Sequence, residues 1–182
     1  LTNPNFKNSD KSIFVNFQAL ETDRLSDFGY KSNKTGFSLG TDFEYYDDFF
    51  LGLGANSYYE TIEADSTASN RQKNQAGNYF DNFINISFDY DKRNQKFQTS
   101  DGFRNYYDVS VPVISETNTF SNTFITTNYF EYLDKNILKT SFYFKNSSSL
   151  TGDNVKLSER LSIPASRLRG FEQGKVGPKD GN

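Results

Sequence analysis

Apolar and polar residues alternate one for one along most of this chain, and that period of two limits its fold more than any other feature. Ile13, Val15, Phe17 and Ala19 interleave with Ser12, Asn16 and Gln18, with Phe14 out of phase. Phe37, Leu39, Phe43 and Tyr45 interleave with Gly36, Ser38, Gly40, Asp42 and Glu44, and Phe49, Leu51, Leu53 and Ala55 with Gly52, Gly54 and Asn56. Phe80, Ile84, Ile86, Phe88 and Tyr90 oppose Asp81, Asn85, Ser87, Asp89 and Asp91, and Tyr107, Val109, Val111 and Val113 oppose Arg104, Asp108 and Ser110. A noisier pair runs from Phe120 to Tyr132 and from Ile137 to Lys145. Successive side chains of a strand point to opposite faces, so about seven strands are predicted, each with one greasy and one wet side. No sustained i, i+3, i+4, i+7 stripe competes for helix.

Two-faced strands reconcile an otherwise contradictory composition. Only 35% of the 182 residues are hydrophobic and the mean hydropathy is −0.74, yet 17% are aromatic, far too many for a disordered chain. Cys and His are both absent, which excludes disulfides, Cys/His zinc sites, Cys nucleophiles and His-based triads. No window approaches the roughly 18 uncharged apolar residues of a spanning helix. A net charge of −3 argues against nucleic acid as a partner. With no carboxylate pair at supportive spacing, nothing marks a reaction centre, and neither an enzyme nor a cofactor is expected. The chain opens Leu1-Thr2-Asn3-Pro4 and contains no Met, so it reads as an internal piece of a longer protein. Missing targeting signals then say nothing about location.

The connections alternate too. Tyr46-Asp47-Asp48 and Leu133-Asp134-Lys135-Asn136 read as tight links, whereas Glu21 to Thr35 and Glu60 to Asn78 read as long polar ones. Short links on one side and long ones on the other describe an antiparallel up-and-down meander, and in outer-membrane barrels they are periplasmic turns and extracellular loops. Strands of about ten residues, tilted near 45°, cross a bilayer core. Aromatics gather near the strand ends (Tyr45, Tyr46, Phe49, Phe50, Tyr58, Tyr59, Tyr79, Phe80, Tyr90, Phe130, Tyr132), as interfacial girdles do. Periodicity alone leaves a soluble lipid- or sugar-binding β-sandwich open, with the greasy face in a dry interior.

Four motifs bear on that choice. Leu168-Arg169-Gly170-Phe171 followed by Gly177-Pro178 resembles the Arg-Gly-Phe loop of the BamA family of barrel-assembly factors, within the bacterial surface antigen superfamily. Asp89-Tyr90-Asp91-Lys92-Arg93-Asn94 leading into Phe97-Gln98-Thr99-Ser100-Asp101-Gly102 is similar to that family's D-x-R…F-P-T-x-G hairpin, with Gln98 where Pro is usual. The matching hairpin positions are Asp91, Arg93, Phe97, Thr99 and Gly102. Leu1 to Phe6 looks like the T-[NE]-P-x-F stretch that ends an early barrel strand, and Leu25-Ser26-Asp27-Phe28 with Lys34-Thr35-Gly36 continues the likeness. Order and spacing agree across nearly the whole chain.

The resemblance implies an all-β, sixteen-stranded transmembrane β-barrel of the bacterial outer membrane, preceded by periplasmic POTRA domains. Residues 1–182 would be a partial barrel domain, with strands over about 10–146 and a long lumen-plugging loop over about 147–182. They would cover roughly the fifth to eleventh strands and most of the sixth extracellular loop. In the family that loop folds into the lumen and its Arg, here Arg169, meets acidic residues on later strands, which lie beyond Asn182. The implied function is to fold and insert β-barrel proteins within a barrel-assembly (BAM) complex. The implied partners are nascent outer-membrane β-barrel proteins, barrel-assembly lipoproteins, periplasmic chaperones and outer-membrane lipid. A two-partner secretion transporter or a TamA-like translocation barrel of the same superfamily would share the loop. Physically, Arg169 offers a fixed fork of donors to lumen carboxylates, Gly170 permits positive φ, and Phe171 can bury against the inner wall.

Other local patterns favour plainer readings. Gly52-Leu53-Gly54 lacks the third glycine of a dinucleotide loop and no helix follows it. Asp89, Asp91 and Asn94 suggest a calcium loop, but Arg93 occupies a ligand position and no bidentate Glu follows. Asp47-Asp48 reads as a solvated turn, Asp101-Gly102 as a turn dipeptide, and Asn85-Ile86-Ser87 as a sequon that falls in mid-strand. Asn70 to Gln75 reads as a solvated loop tip.

Overall fold

The computed structural model describes residues 1–133, 136–164, 166–171 and 176. Among them the elements run β1 (Thr2–Asn3), β2 (Lys11–Arg24), α1 (Leu25–Phe28), β3 (Tyr30–Tyr46), β4 (Phe49–Ala64), α2 (Asn70–Lys73), β5 (Gly77–Asp91), β6 (Gly102–Pro112), β7 (Thr119–Tyr132) and β8 (Asn136–Ser149). One sheet has the order β1 to β8, and each strand pairs antiparallel with the next. The meander expected from the alternation is present, with seven long strands and a two-residue first one. The sheet does not close on itself: β1 and β8 are its edges.

Register carries the alternation coherently across strands. Lys34, Glu60 and Tyr79 share one row, and Gly36, Tyr58 and Asp81 the next, all on the polar face. Leu39, Ala55 and Ile84 fall in a row of the apolar face, followed by Val111 on β6. Exposure separates the two faces in the sense opposite to a water-soluble sandwich. The buried strand residues are largely polar, among them Ser32, Ser38, Glu60, Asp81 and Thr119. Phe37, Leu39, Leu53, Phe80 and Ile84 are each more than two-fifths exposed. Buried polar groups opposite an exposed apolar face mark a sheet whose greasy side awaits a non-aqueous neighbour. Among the described residues no helix is long and apolar enough to cross a membrane.

The small apolar core lies at one end of the polar face. Tyr30, Ile62 and Leu157 are buried together, with Phe28 and Tyr79 packed against them. Leu157 comes from the segment after β8, so the chain doubles back over the face its own strands build.

One expected connection is shorter than the sequence suggested. Instead of a long loop over Glu21 to Thr35, β2 runs through to Arg24 and β3 begins at Tyr30, opposite each other in register. Only α1 and Gly29, at φ +71°, make the turn. These strand ends are polar because nothing there needs an apolar face, so the hydrophobic pattern fades while the ladder of hydrogen bonds continues. Likewise β4 extends to Ala64, leaving residues 65–76 as the connection, with α2 closed by a Ser69–Gln72 capping box.

Candidate functional site

Two constellations at opposite ends of the sheet organise the residues singled out in the sequence. The first is the hairpin between β5 and β6, at the same end as the Asp47-Asp48 turn. Arg93 Nε and Nη2 donate to the two carboxylate oxygens of Asp91 at 2.7 and 2.6 Å, a bidentate fork with both side chains largely buried. The Asp91 hydrogen bond holds the guanidinium above its already high ordinary pKa. Arg104 repeats the geometry on Asp89, at 2.8 and 2.5 Å. Asn94 Oδ1 accepts from the backbone N–H groups of Ser100 and Asp101, and Thr99 Oγ1 donates to the Gln95 carbonyl at 2.7 Å. Asp91, Arg93 and Thr99 are thus brought into one wired turn.

Gly102 closes the turn for a steric reason. It sits at φ +100°, and a Cβ there would lie 2.2 Å from the Lys92 carbonyl oxygen and 2.9 Å from the Arg93 Cα. Phe97 is the exception among the motif residues: it is 80% exposed and projects away from the turn. Gln98 has φ +54°, a conformation that a proline ring locked near −65° cannot adopt. Gln98, which stands where the resembled hairpin usually has Pro, thus holds a backbone that Pro cannot adopt.

The second constellation is the return of the chain after β8. Leu150 N–H donates to the Asn118 carbonyl at 2.8 Å, and the segment then turns onto the polar face. Lys156, 3% exposed, donates from Nζ to Glu60 Oε2 at 2.8 Å and to Asp81 Oδ2 at 2.5 Å. Glu159 Oε1 lies 3.4 Å away and the Tyr79 ring centroid 5.3 Å away. Ser158 Oγ donates to Glu60 Oε2 at 2.9 Å. The other oxygen of Asp81 accepts from Ser115 Oγ, from the Thr117 N–H at 3.0 Å and from Thr117 Oγ1 at 2.7 Å. Burial pulls the Lys156 ammonium down, and Glu159, Glu60 and Asp81 more than reverse it, leaving its pKa above the ordinary lysine range. Arg71 on α2 also reaches Asn154 of the returning segment.

Farther along, the guanidinium of Arg167 stacks on Tyr143 of β8, 3.5 Å from the ring centroid. Tyr143 pairs with Ile125 and Ile125 with Tyr106, which puts it on the polar row. The segment has therefore descended about six residues below the end of β8. Leu168 is half-buried, Arg169 is exposed and Phe171 is 58% exposed, while Gly170 takes φ +89°. Phe171 is not seated on the inner wall here. Gly177 and Pro178 lie outside the described residues.

Sequence reading missed the ionic seat. In the sequence Asp81 is one of several wet-face carboxylates, Glu60 falls where a loop is predicted, and Lys156 carries no local signature. The one available signal was the parity that puts Glu60 and Asp81 on the same face as Tyr58. No group of three carboxylates suited to a metal ion occurs among the described residues.

Comparison with known proteins bears on what such an arrangement belongs to. A family model described as the Omp85 superfamily domain matches residues 1–182. Among solved structures, the crystal structure of BamA from Haemophilus ducreyi lacking POTRA domains 1–3 superposes with a TM-score of 0.83 at 16% sequence identity. The match covers 97% of this chain and 37% of that one, so the chain spans little more than a third of the BamA structure. No curated protein matches.

Proposed function

Because the chain belongs to the Omp85 superfamily, we propose that it forms the central wall and plug of a bacterial outer-membrane barrel that folds and inserts β-barrel proteins. The observation that carries this reading is the return of the chain after β8 onto the polar face, with Lys156 on Glu60 and Asp81 and Arg167 on Tyr143. A wet inner wall occupied by the protein's own loop, opposite an exposed apolar face, suits a barrel in lipid. It does not suit a sandwich with a dry interior. The wired β5–β6 turn would stiffen the periplasmic rim, and the exposed Arg169 fork would be left to meet carboxylates on later strands. In this reading the partners are nascent outer-membrane β-barrel proteins, barrel-assembly lipoproteins, periplasmic chaperones and outer-membrane lipid. The work done in this reading is conformational.

Conditional depletion of the full-length protein tests the proposal. Folded outer-membrane barrels of many kinds should fall together while their unfolded forms accumulate in the periplasm. Loss of a single secreted protein, with barrel levels unchanged, would overturn it in favour of a two-partner secretion or TamA-like transporter.

A further inference from the structure

Lys156 occupies a position that the Arg-Gly-Phe motif does not account for. It lies 13 residues before Arg169, and its ammonium group is almost wholly enclosed, with 2% side-chain exposure against 1% for both Glu60 and Asp81. The two acceptors come from adjacent strands, on neighbouring rows of the polar face. Asp81 is prepared independently of the returning segment, and Glu60 meets a second residue of that segment. Asp81 is fixed by Ser115 and Thr117 of the β6–β7 connection, and Glu60 accepts from Ser158. Glu60 Oε1 and Glu159 Oε2 are buried without a hydrogen-bond partner, so the pocket holds more acceptor capacity than its single ammonium group satisfies. Removing one partner from a buried charge cluster leaves uncompensated charge, which is far more disruptive than replacing the whole cluster with neutral groups.

We propose that Lys156 is a positioning residue: an ionic seat on the β4–β5 wall that holds the entry of the plug loop in the lumen, independently of the Arg169 contact. The proposal rests on reading this face as a lumen but not on what the barrel does for other proteins. The loop is then held at two points, one built wholly within this chain and one completed by later strands. Leu157, packed on Tyr30 and Ile62, adds apolar contact beside the seat, and Lys156 supplies the one positive charge that Glu60 and Asp81 share.

The test is made in the full-length barrel in lipid vesicles, with Leu157→Cys as its only cysteine; residues 1–182 contribute no other. Alkylation by a polar maleimide reads seat opening with no substrate protein present, so its outcome is separate from that of the depletion experiment. Lys156→Met, which keeps the apolar stem and removes the charge, should raise the labelling rate tenfold or more. Adding Glu60→Gln and Asp81→Asn should restore slow labelling, because the two fully buried carboxylates are then neutral and only the more exposed Glu159 keeps its charge. Unchanged labelling in Lys156→Met would overturn the proposal, as would a triple variant that labels as fast as the single one. Should Lys156→Met fail to fold, recovery of a folded, protected barrel by the triple variant supports the ionic seat, and equal failure of both overturns it.

Discussion

Phe14 lies across Gly40, its direct partner on the neighbouring strand, so closely that a Cβ on Gly40 would stand 2.5 Å from the ring's Cζ and 2.7 Å from the Leu53 carbonyl oxygen. The aromatic that breaks the period of β2 thus has a place prepared for it on the wet face. Gly40→Ala should cost about 1–3 kcal/mol in urea unfolding of the refolded barrel, because the ring and a backbone carbonyl must both shift. Phe14→Leu in the same background should recover part of the loss, the part due to the ring. Parent-like stability of Gly40→Ala would show that the contact is slack.

Gly102 and Gly152 both have positive φ, +100° and +83°, but only Gly102 is crowded; around Gly152 a Cβ meets nothing within 4 Å. Alanine at 152 should therefore cost only the backbone term, about 1 kcal/mol. Alanine at 102 must also move the Lys92 carbonyl and should cost at least twice as much. Parallel unfolding curves of the two variants give the comparison, and equal losses would mean that the turn relaxes freely.

The Asp91–Arg93 fork predicts that charge alone does not suffice. Arg93→Lys keeps the charge but gives up the planar, two-point geometry, so it should lose most of what Arg93→Ala loses, about 1–3 kcal/mol at these partly buried positions. The measurement is the unfolding midpoint of each variant. A lysine variant as stable as the parent would reduce the fork to a simple charge pair.

What the sequence made legible follows from which physical constraint acts where. Within the bilayer zone, lipid on one side and water on the other impose strict alternation, and Leu39, Ala55, Ile84 and Val111 all fall on the face their spacing assigned them. Beyond that zone the ladder continues without the pattern. Thr22 pairs with Ser32, a polar pair that reads as loop although it is strand. The β5–β6 turn was readable because turn chemistry is local, with Asp91, Arg93 and Gly102 within a dozen residues. The ionic seat was not, because Lys156 meets Asp81 across 75 residues and its environment is built by β4, β5 and the β6–β7 connection. Phe97 shows the converse: a motif position whose side chain stays exposed among the described residues.

The direction of the Lys156 shift sets a pH dependence. Its folded pKa lies above its unfolded one, so the stability it contributes is complete below the ordinary lysine value and is lost only as pH rises through the folded value. Between neutral pH and about 10, near the unperturbed lysine pKa, protection of the returning segment should not fall. Hydrogen exchange of the Glu159 and Arg160 amides, which donate to Lys156 and Leu157 carbonyls at 2.9 and 3.4 Å, reads this once corrected for intrinsic base catalysis. A loss of protection factor well below pH 10 would mean that the ammonium is not stabilised by its neighbours.

Arg169 gives the sharpest contrast with that seat. Its side chain is exposed and the adjoining Gly170 already holds φ +89°, so among the described residues the fork is presented to the outside rather than bound. If it docks on carboxylates of later strands, Arg169→Ala should leave the Lys156 seat intact and free only the loop beyond it. In the full-length protein, limited proteolysis should then cut after residue 164 several times faster while Leu157→Cys stays protected, and barrel assembly should decline. Arg169→Lys should recover only part of the loss, since an ammonium cannot bridge two carboxylate oxygens as a guanidinium does. A full-length Arg169→Ala protein that resists protease and supports barrel assembly like its parent would remove the second anchor, leaving the seat on Glu60 and Asp81 to hold the plug alone.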